Sequence, residues 1–236
     1  MKFVFLYYAQ RSGSTFLGRL LAEKVPSLIV LPEFRLVESL IAASQKRDVP
    51  VDNIRYLVSL DHQLGNLGLS QERQTCLEEL SQINVRDVLT KVADLYQAQH
   101  GTRATTCIVK LGPLLYVHNL VREHFPDARF IHIIRDPRAV VNSRLRAYRP
   151  YFPSERMGRG DPWFIAKSWC DYIDRVERAE TQGSPILTIR YEELIISPSK
   201  IQERILYRLI FQIQYHSPES MRIYILIFSF VQEQKL

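Results

Sequence analysis

The feature that most constrains this chain is a strand, a polar turn and a helix within its first 21 residues. The apolar run Phe3 to Ala9 has the length of a buried strand, and only Lys2 adds a side-chain charge before it. It passes directly into the polar turn QRSGST without an A-x-A cleavage site, so we interpret it as a strand and not as a secretory signal. Helical spacing follows at four apolar positions: Phe16, Leu17, Leu20 and Leu21.

The turn between this strand and this helix has the composition of an anion site. Unpaired backbone amides and the positive end of the helix macrodipole meet at the start of a helix. Gly13 allows a close backbone approach, and Ser14 and Thr15 supply hydroxyl donors. Arg11, next to Ser12, supplies a charged donor with bidentate geometry. Taken alone, the segment could equally be a helix cap made of small polar residues.

Two common nucleotide signatures are missing from this turn. Gly13 is followed by Ser14 and Thr15 with no Lys, so the G-x-x-x-x-G-K-[ST] pattern of nucleoside triphosphatases is not present, and neither is G-x-G-x-x-G. A magnesium-triphosphate site and a dinucleotide fold are both disfavoured. We therefore expect a nucleotide whose 5′ group is held without a metal ion.

Short apolar runs alternate with helical patterns along the chain. This alternation predicts a P-loop-like, three-layer α/β fold with a central parallel sheet flanked by helices. The length fits a single domain over residues 1–236, with a helical insertion at about 35–100. The clearest helix of the insertion runs from a cap at Asn84 to a stop at Gly101. The predicted strands are residues 3–9, 28–31, 105–110, 129–134 and 185–189.

The net charge and the cysteine content limit which binding partners and which cellular compartment we expect. The net charge of +6 favours an anionic partner, but the basic residues are spread along the chain, so we expect no nucleic acid partner. Three scattered cysteines predict no disulfide framework and favour a reducing, cytoplasmic compartment. The apolar run Ile223 to Val231 is far shorter than the roughly 20 residues of a spanning helix, so no membrane span is predicted.

A second candidate anion site follows the strand Arg129 to Ile134. Arg135 stands at the end of this strand, and Pro137 fits the first turn of the helix that comes next. Ser143 lies two turns into that helix. Arg135 and Ser143 can therefore both face the carboxyl edge of the sheet, where nucleotides bind in open α/β folds.

Three ordered segments, QRSGSTFL, FPDARFIHIIRDPRAVVNSR and ILTIRYEEL, together resemble the sulfotransferase family over roughly residues 3 to 200. Members of this family use 3′-phosphoadenosine 5′-phosphosulfate (PAPS) as donor. The resemblance implies that Arg11 to Thr15 hold the 5′-phosphosulfate and that Arg135 and Ser143 hold the 3′-phosphate. It also implies that Tyr191 lies near the adenine.

The form of these motifs is most similar to the carbohydrate and protein-tyrosine sulfotransferases and their bacterial relatives. The Lys-x-His segment of the phenol and steroid enzymes corresponds here to Lys110, Leu111, Gly112 and Pro113, so its His is missing. The resemblance places the general base at Glu33 and assigns Lys110 to the leaving oxygen or the sulfuryl group. Of the six histidines, none outranks Glu33, and His132 is predicted to be a packed core residue. The reaction demands no metal.

The tail, at about residues 205–236, departs from the family. It contains no glycine, and Arg208, Arg222 and Lys235 are the only candidates to replace the family's late basic lid over the 3′-phosphate. The leading hypothesis is an active enzyme that sulfates a hydroxyl of a carbohydrate, tyrosyl or small-molecule acceptor. A catalytically impaired nucleotide-binding relative is the alternative, and a P-loop kinase is disfavoured by the missing Lys. Acceptor specificity is expected in residues 35–82 and 148–163, and the sequence predicts neither the acceptor nor the oligomeric state.

Overall fold

The centre of the protein is a five-stranded parallel sheet. The structure is a computed structural model that describes residues 1–44, 67, 84–149 and 152–210. The strands of the sheet are β1 (Lys2–Tyr8), β2 (Leu28–Leu31), β3 (Thr106–Lys110), β4 (Arg129–Ile134) and β7 (Ile186–Arg190). Their order across the sheet is β2-β3-β1-β4-β7. Each lies within one residue of its predicted bounds, and every pairing is parallel, which confirms the predicted sheet.

Helices connect these strands and cover both faces of the sheet. The described α-helices are α1 (Ser14–Lys24), α2 (Leu36–Ser44), α3 (Val85–His100), α4 (His118–His124), α5 (Pro137–Arg146), α6 (Pro162–Thr181), α7 (Tyr191–Ile196) and α8 (Pro198–Ile210). Short 3₁₀ helices span Gly112–Val117 and Met157–Gly160. The predicted caps of α3 are confirmed, because the side chain of Asn84 accepts from the Arg86 amide and Gly101 adopts φ 63°.

Successive side chains of a strand point to opposite faces of the sheet, so the apolar core forms two layers, one on each face. Along β1, Phe3, Phe5 and Tyr7 point to the face covered by α2, α3, α4 and α6. Val4, Leu6 and Tyr8 point to the opposite face, where α1 and α8 pack. Both layers of helices therefore close over one sheet, as a three-layer α/β fold requires.

A small antiparallel pair that the sequence did not predict follows α5. It consists of β5 (Tyr148–Arg149) and β6 (Phe152–Arg156), and the 3₁₀ helix Met157–Gly160 comes directly after it. This pair falls in the stretch 148–163 where acceptor specificity is expected. The pair contacts α5 through β6, and the 3₁₀ helix that follows contacts both α5 and α6.

Parts of the predicted insertion and tail lie outside the described residues. This holds for 45–66, 68–83 and 211–236, and so for Arg222 and Lys235. Of the predicted insertion, α2 and α3 pack into the core through residues such as Leu40 and Val88. Within the described part of the chain, no helix is both long and apolar enough to cross a membrane. The domain organisation stays a prediction.

Candidate active site

A cleft of about 1530 Å³ opens at the carboxyl edge of the parallel sheet. Each of the five strands leads into one of the residues predicted from sequence: Arg11 after β1, Glu33 after β2, Lys110 at the end of β3, Arg135 after β4 and Tyr191 after β7. Seven predicted residues line the cleft, namely Arg11, Gly13, Ser14, Thr15, Glu33, Arg135 and Tyr191. Ser12, Lys110 and Ser143 neighbour or contact these lining residues. The topology thus brings all ten together.

The turn at Arg11 to Thr15 is shaped to expose the start of α1. Arg11 has φ 72° and Gly13 has φ 97°, and a left-handed conformation is costly for Arg but not for Gly. Within the described residues, no side chain caps the amides at the start of α1. The Oγ of Ser12 is fully buried and has no hydrogen-bond partner in the described part of the chain. Uncapped amides and a spare buried hydroxyl favour an anion site over a simple helix cap and fit a phosphate-type group.

Arg135 and Ser143 both bond to Arg11. A guanidinium nitrogen of Arg135 donates to the Arg11 carbonyl over 3.0 Å, across 124 residues of sequence. The Nε of Arg11 donates to the Oγ of Ser143 over 3.1 Å. The segments predicted to hold the two ends of one nucleotide are therefore hydrogen-bonded to each other. Arg135 also satisfies the carbonyl of a residue held in a strained conformation.

Tyr191 lies against the turn. Its ring occupies the space beside Gly13, where an added Cβ would collide with it, so only glycine fits this position. The guanidinium of Arg135 covers the same ring at 4.4 Å from its centroid. The next residue, Glu192, accepts from the Asp136 amide over 2.9 Å. The RYEEL segment thus joins the RDPR segment to the turn, and the role of Tyr191 at the adenine stays a prediction.

The second half of the RDPR segment stabilises the helix start. Asp136 caps α5 by accepting from the Arg138 amide over 2.8 Å, and the Arg138 side chain folds back onto the same carboxylate. Hydrogen bonds from Arg138 lower the pKa of Asp136 to about 2. Arg138 is exposed and occupied by this pairing, which leaves Arg135 as the arginine of the motif that faces the cleft.

Glu33 and Lys110 form an ion pair at the other end of the cleft. The Nζ of Lys110 lies 3.7 Å from a carboxylate oxygen of Glu33, and their side chains are 13% and 47% exposed. The methylene stem of Lys110 passes over Gly18 of α1, four residues after Ser14 and therefore on the same helix face. The pair thus holds the Lys110 side chain beside α1, about one turn beyond Ser14, while the Glu33 side chain stays 47% exposed.

Two tyrosines support this end of the cleft and were not predicted from sequence. The Tyr8 hydroxyl hydrogen-bonds to Glu33, and burial, followed by the charge of Glu33, raises the pKa of Tyr8 well above its ordinary value. The Tyr172 hydroxyl accepts from the Tyr8 amide over 2.8 Å and donates to the Gly112 carbonyl over 2.9 Å. Tyr172 therefore fastens α6 to the ends of β1 and β3. Tyr8 and Tyr172 are 164 residues apart, so no local sequence pattern predicts their contact.

The two buried histidines are poor candidates for a base. Burial lowers the pKa of both His118 and His132 to about 4. His118 bonds to the Tyr7 hydroxyl and to the Ser184 hydroxyl, and His132 is 1% exposed, as its prediction as a core residue requires. His62 and His216 fall outside the described residues. Among the described ones, no three His, Cys, Asp or Glu residues cluster as metal ligands would.

The sequence matches the Sulfotransferase family over residues 4–214. No curated protein matches it significantly. The fold is similar to that of the sulfotransferase domain from the Synechococcus PCC 7002 olefin synthase, with a TM-score of 0.60 and 20% identity over 87% of this chain and 72% of that one. A sulfotransferase from Alicyclobacillus acidocaldarius has a TM-score of 0.53 and 15% identity, and the match covers 97% of this chain and 91% of that one.

A third similar structure is the sulfotransferase domain from the curacin biosynthetic pathway. Its TM-score is 0.52 at 19% identity, and the match covers 93% of this chain and 76% of that one. At these identities the likeness concerns the fold. The match over residues 4–214 includes the turn, the RDPR segment and the RYEEL segment.

Proposed function

The chain belongs to the sulfotransferase family, and on that premise we propose that it transfers a sulfuryl group from PAPS to a hydroxyl of a carbohydrate, tyrosyl or small-molecule acceptor. One observation carries the proposal. Arg135 and Ser143, eight residues apart, both hydrogen-bond to Arg11 of the strand-to-helix turn. Two anion-binding segments are thereby held together at the edge of the sheet where nucleotides bind.

The donor would be held by residues that the structure has already gathered. The amides at the start of α1 and the Arg11 side chain would hold the 5′-phosphosulfate, with Ser14 and Thr15 as further donors. Arg135 and Ser143 would hold the 3′-phosphate. Arg135 already lies over Tyr191, so its orientation is set before any ligand arrives.

Bound there, PAPS supplies a sulfuryl group and a phosphate leaving group. Glu33 accepts the proton of the acceptor hydroxyl, because it is the carboxylate that lines the cleft next to Lys110. The hydrogen bond from Tyr8 orients the Glu33 carboxylate. Lys110, beside the face of α1 that begins at Ser14, stabilises negative charge that develops on the departing oxygen.

Binding of the product nucleotide tests the donor assignment without knowledge of the acceptor. We expect 3′-phosphoadenosine 5′-phosphate (PAP) to bind the purified protein about tenfold or more tightly than adenosine 5′-phosphate, because Arg135 and Ser143 add charge-assisted bonds to the 3′-phosphate. Isothermal titration calorimetry measures both affinities. Equal affinities would contradict the 3′-phosphate assignment.

Turnover is then measured with radiolabelled PAPS and a panel of carbohydrate, tyrosyl and phenolic hydroxyl compounds. Transfer of label to an acceptor supports the proposed reaction. Tight PAP binding without transfer to any acceptor would favour the catalytically impaired relative instead.

A further inference from the structure

The cleft is lined by more arginines than the proposed donor site engages. Its lining includes seven arginines and two glutamates, and the proposed donor site engages only Arg11 and Arg135. One of the two glutamates, Glu33, is paired with Lys110. Arg35 is paired with Glu38 outside the lining. The remaining lining arginines, Arg19, Arg144, Arg156 and Arg159, face a single further glutamate, Glu155, so this part of the cleft is cationic and concentrates anions.

Arg144 stands apart from the other lining arginines because it is buried. It is 8% exposed, and a terminal guanidinium nitrogen donates to the Ser168 hydroxyl over 2.7 Å. Its Nε is buried and has no hydrogen-bond partner among the described residues. Burial lowers the pKa of Arg144, and no carboxylate of the described chain forms an ion pair with it. An arginine stays charged in such surroundings, so a buried cation faces the cleft without a counterion.

The position of Arg144 separates it from the donor site. Arg144 directly follows Ser143, and consecutive residues of a helix point about 100° apart. Ser143 faces Arg11, whereas Arg144 faces α6 and the 3₁₀ helix that contains Gly158. Helix α5 thus presents a hydroxyl to the donor and a guanidinium to the other half of the cleft.

Ser168, which accepts from Arg144, lies on the helix that contacts the acceptor end of the cleft, the end at Glu33. Ser168 lies four residues before Tyr172 on α6, so both face the same side, about 6 Å apart along the helix. Tyr172 bonds to the Tyr8 amide, and Tyr8 bonds to Glu33. Arg144 is therefore connected through one face of α6 to the carboxylate proposed as the base.

We propose that Arg144 pairs with an anionic group of the acceptor, so that the substrates of this enzyme are hydroxyl compounds that also carry a carboxylate or a sulfate or phosphate ester. This inference rests on the proposed sulfotransferase function and names the class of its acceptor. A planar guanidinium matches such groups in a bidentate fashion. Arg156 and Arg159, which are exposed at the rim of the cleft, add to the positive electrostatic potential that attracts an anion into it.

The test uses small anions while the donor site is filled. The protein is saturated with PAP, and its thermal unfolding is followed as sodium sulfate or sodium acetate replaces sodium chloride at constant ionic strength. We expect one or both anions to raise the unfolding temperature with a saturating dependence. The sulfate arm represents an ester and the acetate arm a carboxylate, so their relative strength shows which group the site prefers.

Arg144→Gln removes the charge, and Arg146→Gln, on the exposed side of the same helix, is the matched control. We expect the apparent dissociation constant of the effective anion to rise about tenfold or more in Arg144→Gln and to change less than about twofold in Arg146→Gln. If Arg144→Gln does not fold, Arg144→Lys is used in its place. Lysine cannot pair in a bidentate fashion, so we expect the affinity for the anion to fall several-fold.

Absence of any anion effect on the PAP-bound wild type would overturn the proposal without use of a variant. An anion effect that persists unchanged in Arg144→Gln would overturn it as well. Neither result depends on turnover. Failure of the proposed function would appear earlier, as a failure of the protein to bind PAP more tightly than adenosine 5′-phosphate.

Discussion

The two ends of the cleft are built in different ways. At the donor end, the functional residues come from two short segments, Arg11–Thr15 and Arg135–Ser143, which hydrogen-bond directly to each other. At the acceptor end, Glu33, Lys110 and Tyr8 come from the ends of three strands, and Tyr172 comes from a distant helix. The donor end is joined by direct hydrogen bonds between its two segments, whereas the acceptor end depends on the packing of α6 against the strand ends.

This difference has a chemical consequence. Arg135 is fixed by a backbone carbonyl and an aromatic ring, neither of which a bound nucleotide has to displace. Glu33 is held by Lys110 and Tyr8, and its side chain is still 47% exposed. Substitutions at the donor end should therefore weaken binding, whereas substitutions at the acceptor end should slow the chemical step.

The largest expected effect is that of Glu33→Gln. Glutamine keeps the shape and a hydrogen-bond acceptor for Tyr8 but cannot take the proton of the acceptor hydroxyl. We expect kcat to fall by about 10²- to 10⁴-fold, with PAP affinity changed by less than about twofold. Steady-state kinetics with labelled PAPS, together with calorimetry for PAP, separate the two quantities.

Glu23→Gln, at an exposed position of α1, is the matched control and should leave kcat unchanged. If kcat survives in Glu33→Gln, Glu33 is not the base. If PAP affinity falls along with kcat, the two ends of the cleft are not separate units.

Acid pH should destabilise the parallel sheet from which both ends of the cleft are built. Burial lowers the pKa of His132 to about 4 from an ordinary value of 6.5, so the folded protein holds this histidine neutral. As the pH falls from about 6.5 towards 4, the unfolded chain takes up the proton first and stability is lost, by about 3 kcal/mol in total from this residue. The contribution of the neutral His132 is fully present above about pH 6.5.

Urea unfolding at a series of pH values checks this expectation. His132→Gln should show a shallower loss of unfolding free energy between pH 6.5 and 4 than the wild type. His100→Gln, at an exposed histidine, should follow the wild type. Parallel curves for the wild type and His132→Gln would contradict the assignment. A smaller acid loss is expected to remain in His132→Gln, because burial also lowers the pKa of His118.

How well the sequence predicts the structure depends on whether the residues that contact each other are close together along the chain. The five strands of the parallel sheet are short, mostly apolar runs and were predicted within one residue. The pair β5 and β6 is short and charged, with no alternation to indicate a strand. Arg135 and Ser143 share one strand-to-helix connection, so their spacing alone indicates a common site. The bond between Tyr8 and Tyr172 depends on how α6 packs, which no local pattern encodes.

Arg135→Gln should affect binding more than turnover. The substitution removes a charge-assisted donor to the 3′-phosphate and the bond to the Arg11 carbonyl, so we expect PAP affinity to fall by about 10- to 100-fold. Calorimetry measures the change directly. Arg138→Gln is the matched control from the same motif, because its guanidinium already pairs with Asp136. A loss of equal size in Arg138→Gln would show that the motif acts through its net charge and not through Arg135.

The smallest expected effect, that of Ser143→Ala, decides whether the donor end acts as one unit. Ser143 accepts from Arg11 over 3.1 Å, and its removal costs one hydrogen bond of about 0.5–1.5 kcal/mol, or about 2- to 10-fold in PAP affinity. Asn142→Ala, at the exposed neighbouring position of α5, should leave that affinity unchanged. In the double variant Arg135→Gln and Ser143→Ala, a loss smaller than the sum of the two single losses would indicate coupling through Arg11, to which both residues bond. A strictly additive loss would mean that Arg135 and Ser143 contribute to nucleotide binding independently and are not coupled through Arg11.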